Sequence, residues 1–270
     1  MKTSPFLGAA LAAGQVAYGL EAPRPPWMTR AIVVLYLTTS TADAIEQRGA
    51  RGAAVVAAAG SIGMGAEWLG VHTGRPFGAY DYSGQLGPKV ADVPLLAGAA
   101  WAMMARPSRV AADWATASAD GRRRSGLRRR AARVAVAAGA LTAWDVFLDP
   151  RMVREGYWRW PGGGRYEGIP ASNFLGWLAT GVAVFAAAEL IDPHDDPAAA
   201  TPATDGPEAD DLASLRSGDP ALALYAWTWL GEIIANVLLW RRPKVALAGG
   251  AAMGSVLLPA LRARLRAQRG

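Results

Sequence analysis

Residues 52–82 read GAAVVAAAGSIGMGAEWLGVHTGRPFGAYDY, and the reading of this stretch decides the fold. Its opening run, Gly52–Ala66, is almost wholly apolar or small. A helix facing water on one side carries a polar stripe, and this run has none. It approaches the ~20 residues that cross a bilayer core. The run then meets a carboxylate, Glu67, and enters a loop of Gly, Pro, Tyr and Arg. An acid at the mouth of a membrane helix is unfavourable in itself, so it serves chemistry, transport or binding. A second junction of this kind follows at Trp144-Asp145-Val146-Phe147-Leu148-Asp149-Pro150, ahead of a loop dense in Trp and Gly.

Working outward, eight apolar segments can be drawn, near 5–20, 28–45, 52–70, 90–106, 130–149, 173–191, 220–240 and 244–262. The expected fold class is all-α: a polytopic transmembrane helical bundle of about seven to eight spans, one integral membrane domain over residues 1–270. The first segment has a second reading as a signal peptide, on Lys2 and the small-residue run Gly8–Gly14, but further spans follow it directly. Mean hydropathy is only +0.13 because charges cluster between the apolar runs. The stretch Asp195–Asp219 holds seven acids and one Arg. With its Pro, Ala and Thr, the part 195–218 reads as a disordered acidic linker between two helices.

The chain has no Cys, which removes disulfides, zinc thiolates and thiol nucleophiles. With two His, His72 and His194, a multi-histidine metal centre is not expected, and no metal is assigned. His194 lies in the acidic loop and reads as solvated. The basic runs Arg122-Arg123-Arg124 and Arg128-Arg129-Arg130 suggest nucleic acid in a soluble protein; beside a membrane span they read as a topological signal instead, and no nucleic-acid partner is expected. Placing them in the cytoplasm puts both termini there, with 17 of the 28 Lys and Arg on that side. Arg241, Arg242 and Lys244 argue the other way. The expected location is a prokaryotic cell membrane.

Span counting puts the loops 71–89 and 150–172 on the same side, where the seventh span also ends. Glu67, Asp145, Asp149, Asn173, Glu232 and Asn236 then gather in one half of the bilayer. Asp145 and Asp149 are one helical turn apart, and Tyr225, Trp229, Glu232 and Asn236 recur at helical spacing along one stripe. Polar groups in lipid face the bundle interior or a wet cavity. Each of them has a plainer reading as a hydrogen bond tying helices together. Trp68, Trp101, Trp144, Trp158, Trp160 and Trp177 fall near span ends, where an aromatic belt is expected. Trp227 and Trp229, inside a span, are candidates to line a channel for an apolar ligand.

No phosphate-binding Gly loop, dinucleotide fingerprint or serine nucleophile elbow is visible. Asp145 and Asp149 match the D-x-x-x-D spacing of prenyl transferases, but Pro150 follows and no second aspartate-rich motif exists. Carboxylic acids in an apolar pocket suit another reaction, proton transfer to an alkene, since desolvation keeps an acid protonated. A trisubstituted terminal double bond then gives a tertiary carbocation, which aromatic faces stabilise and water can capture. Such a hydratase needs no cofactor.

The segments EWLGVHTGRPFGAYDYSGQLGPKVADVPL, DVFLDPRMVREGYWRWPGGGRYEGIPASNFLGW and GDPALALYAWTWLGEIIANVLLW resemble the membrane carotenoid hydratases of the CruF type. These include gamma-carotene 1′,2′-hydratases and bisanhydrobacterioruberin hydratases. The resemblance covers roughly residues 30–245. It implies water addition across the terminal double bond of an acyclic carotenoid end, a carotenoid partner within the bilayer, and other enzymes of the same pathway as neighbours. The residues themselves point to Asp145 or Asp149 as proton donor, then Glu67, with Glu232 or Asn173 handling water. His72, Arg75, Tyr80, Tyr82, Tyr225, Trp177, Trp227 and Trp229 are the expected substrate contacts. Rival readings are a cyclase or isomerase of the same pathway, and a non-enzymatic pigment-binding or transport protein.

Overall fold

The computed structural model describes residues 2–21, 24–117, 126–193 and 220–269. The acidic linker 195–218, His194 and the first arginine run lie outside them. The described residues form seven helices. These are α1 (Ser4–Leu20), α2 (Pro26–Thr73), α3 (Leu95–Thr116), α4 (Gly126–Arg154), α5 (Ala171–Ile191), α6 (Pro220–Ile234), which continues into a π turn at Ala235–Leu239, and α7 (Pro243–Arg269). Five of them are long and apolar enough to cross a membrane: α2, α4, α5, α6 with its π turn, and α7. The segments expected at 5–20 and 90–106 coincide with α1 and α3 but do not reach that standard. The first has only 17 residues, and the second carries Arg106, Arg109 and Asp113.

The two spans expected at 28–45 and 52–70 are joined by a single non-helical residue. Gly49, at φ 57° and ψ −139°, breaks α2 in a backbone conformation that glycine alone adopts without strain. A straight helix would hold Thr29 and Glu67 about 57 Å apart. Both line one cavity, so α2 is a hairpin with two arms, Pro26–Arg48 and Ala50–Thr73.

The helical segments run alternately up and down, as their end contacts show. Ser4 at the start of α1 meets Glu46 before the break in α2, and Tyr18 near the end of α1 meets Thr29 at the start of α2. Helix α3 is the centre of the bundle: Trp101 to Ala105 and Pro107 to Ala112 are all buried. It packs on α2, α4, α6 and α7. Gly63 permits a close approach of α2 to α3, because a methyl group there would lie 2.2 Å from the Trp101 ring.

Four short strands shape the loops at one end of the bundle. Strand β1 (Asp81–Tyr82) pairs antiparallel with β4 (Trp158–Arg159), Tyr82 opposite Trp158. Strands β2 (Lys89–Val90) and β3 (Val93–Pro94) form a hairpin closed by Ala91 and Asp92, both at positive φ. The loop after α2 is thus stitched to the loop after α4, and the Trp160 indole adds a bond to the Phe77 carbonyl at 3.0 Å.

Candidate functional site

Beneath those paired loops lies a cavity of about 370 Å³, lined mainly by apolar and aromatic side chains from α1, both arms of α2, α3, α4, α5 and α6. Glu67, on the last turns of α2, projects into it. The Trp101 indole donates to its Oε1 at 3.0 Å, and the Tyr82 hydroxyl to its Oε2 at 2.8 Å. The Tyr80 hydroxyl donates to the same Oε2. Burial and the neighbouring Glu67 carboxyl push both phenols well above their usual range, so each stays an O–H donor.

Across the cavity stand the acids of α4. The i,i+4 spacing puts Asp145 and Asp149 on one face, where the Asn173 amide of α5 donates to an oxygen of each, at 2.8 Å for Asp145. The Trp158 indole donates to the other Asp149 oxygen at 3.0 Å. Asp149 and Asn173 line the cavity, whereas Asp145 lies behind them, reached through Asn173. Its Oδ1 is buried with no hydrogen-bond partner. Burying a polar group without a partner costs about 1–3 kcal/mol. All three carboxyls are at most 5% exposed, and their donors are an amide, indoles and phenols rather than cations.

Aromatic rings form the walls. Trp101 and Trp177 stack at 4.0 Å between centroids, Trp144 meets Trp177 edge-on, and Tyr80 lies against Tyr82 and Trp160. Of the tryptophans expected in an aromatic belt, Trp68 is 48% exposed, whereas Trp101, Trp144, Trp158, Trp160 and Trp177 line the cavity. Position along a helix cannot separate the two roles, because a site near the bilayer boundary places its aromatics at belt height.

The remaining candidates divide. Trp227 lines the cavity, and its indole donates to the Gln15 side chain at 2.8 Å. Glu232 also lines it but is ion-paired with Arg151 at 3.0 Å, an arginine the sequence reading left out. Tyr225 and Trp229 point elsewhere and hold helices together: the first donates to the Ala140 carbonyl of α4, the second to Gly250 of α7. Asn236 bonds back to Glu232. His72 and Arg75 are outside the cavity; His72 is half-exposed and lies 3.6 Å from Asp92. Tyr166 secures its loop by donating to the Val146 carbonyl.

A helical membrane protein with an aromatic cavity and three buried acids held by neutral donors is suited to an apolar substrate that must meet a proton donor. The sequence pattern of one family, described as carotenoid biosynthesis protein, matches residues 28–239. The chain belongs to that family. No curated protein and no solved structure matches it.

Proposed function

We propose that this protein is a carotenoid hydratase, adding water across the terminal 1,2 double bond of an acyclic carotenoid end group. One observation carries the reading: Glu67 and Asp149 border an apolar cavity, with Asp145 behind them, and the hydrogen bonds to all three come from indoles, phenols and an amide. Two carboxyls one turn apart in a dry site do not both ionise, so the Asp145–Asp149 pair holds a proton between them. Asp149 lines the cavity and is the donor on this reading, with Asp145 its proton-sharing partner.

The Asp149 proton goes to the CH carbon of the terminal double bond, and its π electrons form the new C–H bond. The other carbon becomes a tertiary cation, facing Trp101, Trp158 and Trp177. A water oxygen adds there, and its surplus proton passes to a carboxylate, restoring the proton count without a cofactor. Glu67, gripped by Tyr80, Tyr82 and Trp101, is placed to orient that water or accept its proton. Asn173 fixes the two aspartates. The basic residues place both termini in the cytoplasm on this reading, with the site on the far side.

The test is expression in a strain making lycopene or bisanhydrobacterioruberin, followed by product mass. A product heavier by one or two waters is expected, and Asp149→Asn should remove it while the protein remains in the membrane. An isomer of unchanged mass with a new ring would instead identify a cyclase, which uses the same proton-first chemistry in a drier pocket.

A further inference from the structure

Thirty or more side chains line the cavity, yet only five of them are exposed: Val16 and Leu20 of α1, and Leu230, Ile234 and Leu239 of α6 and its π turn. All five are apolar, with exposures between 43% and 69%. Among the described residues, the exposed part of the lining is therefore confined to one seam, between α1 and α6. Its loop-side edge is sealed by a charged and aromatic cluster. Arg24 and Arg151 each lie within 5.7 Å of both the Tyr18 and Trp240 ring centroids. Arg24 further bonds the Tyr18 carbonyl and pairs with Glu155. Cations stacked on aromatic rings suit a polar membrane boundary, and the apolar seam below them suits hydrocarbon.

Cavity size gives the seam a use. A cavity of about 370 Å³ lies at the small end of ligand pockets, about 300–1,000 Å³, and suits the end group of a long polyene. The rest of a forty-carbon chain has to leave through whatever opening exists.

We infer that the α1–α6 seam is a lateral portal, through which the end group of a linear polyene enters from the bilayer while the remainder of the chain stays in lipid. The inference rests on the function proposed above for the choice of ligand. The π turn is part of the device. It widens α6 at Ala235–Leu239, on the portal side, and such turns recur where a helix borders a ligand. The Trp227–Gln15 hydrogen bond ties α1 to α6 across the seam.

The chain has no cysteine, so a single introduced thiol can be modified alone. Ile234→Cys and, as a control at a lipid-facing site away from the cavity, Leu247→Cys would be made in an Asp149→Asn background and expressed in lycopene-containing membranes. Each would then be treated with a methyl or a pyrenyl thiosulfonate. Pigment co-purifying with the protein is the readout. The pyrenyl adduct at Ile234 should cut bound lycopene at least five-fold, reduction should restore it, and the methyl adduct and both Leu247 adducts should leave it unchanged. Equal loading with methyl and pyrenyl groups at Ile234 would overturn the portal. Because this background cannot turn over, loading tests the portal independently of hydration. A wild-type chain that binds lycopene through Ile234's seam but makes no hydrated product would sink the function and leave the portal standing.

Discussion

The two ends of the bundle treat buried acids in opposite ways. Away from the loops, Asp43 is paired with Arg106 at 2.9 Å, Glu189 with Arg133 at 2.9 Å, and Asp192 with both Arg48 and Arg109. Under the loops, Glu67, Asp145 and Asp149 meet indoles, phenols and an amide. The first arrangement cancels charge and joins α2, α3, α4 and α5 into one block. The second leaves acids that are oriented but not neutralised by a cation, which is the arrangement the proposed proton transfer requires. Glu232 shows that the loop end does not lack arginines: Arg151 is there and pairs with that acid. An arginine beside Asp149 would favour its carboxylate form and rule it out as the proton donor proposed above.

The sharpest way to break the contrast is to remove reactive protons while keeping shape. Asp149→Asn and Glu67→Gln should each lower hydrated product by about 10²–10⁴-fold, the usual weight of a general acid or base, with unchanged protein yield. Product mass and immunoblots of the same membranes check both halves. Near-wild-type product from both variants would put the chemistry elsewhere.

The opposite end should answer in stability instead. Asp192→Ala removes the carboxylate shared by Arg48 and Arg109, and breaking a buried pair costs about 3–5 kcal/mol. The melting temperature in detergent should drop by several degrees or more, while product per folded molecule changes little. A variant that lost activity at full stability would erase the distinction between the ends.

Acid should separate them too. Burial alone would raise the Asp192 carboxyl, but the Arg48 hydrogen bond and the Arg109 charge outweigh it and hold it below its usual value. Its folded value lies below its unfolded one. The stability it supplies is therefore complete above the unfolded value of about 3.9 and is lost as pH falls through the folded value. Thermal midpoints should be insensitive to this group between pH 7 and 5 and fall below about pH 4. In Asp192→Asn that acid limb should shrink.

A smaller effect tests how finely the reactive end is tuned. Tyr82→Phe removes one of three donors to Glu67 and leaves Tyr80 and Trp101 in place. A net hydrogen bond to a charged or polar partner is worth roughly 1–2 kcal/mol. Product formation should fall about ten-fold, with no change in bound pigment.

Much of this was readable along the chain. Glu67 and the Asp145–Asp149 pair stand out because acids are rare next to apolar runs, and helical spacing alone puts the two aspartates on one face. Span parity brought the loops after α2 and α4 to the same side, and the β1–β4 pairing joins them there. The stripe on α6 misled. Its regular spacing grouped Tyr225, Trp229, Glu232 and Asn236, yet Tyr225 and Trp229 serve contacts with α4 and α7. Periodicity shows that residues share a face without saying which neighbour that face meets. Arg151, a lone arginine just after a span end, carries no sequence signal of its pairing with Glu232 on another helix.

By itself, then, the sequence determined the medium, the helical class, and which acids sit at helix mouths, because hydrophobicity and helical period are local properties of consecutive residues. Only the tertiary structure decided which acids meet neutral donors and which are clamped by arginines. That depends on what crosses from other helices: Asn173 from α5 to the aspartates, Trp101 from α3 to Glu67, Arg109 from α3 to Asp192. No spacing within one segment encodes those meetings.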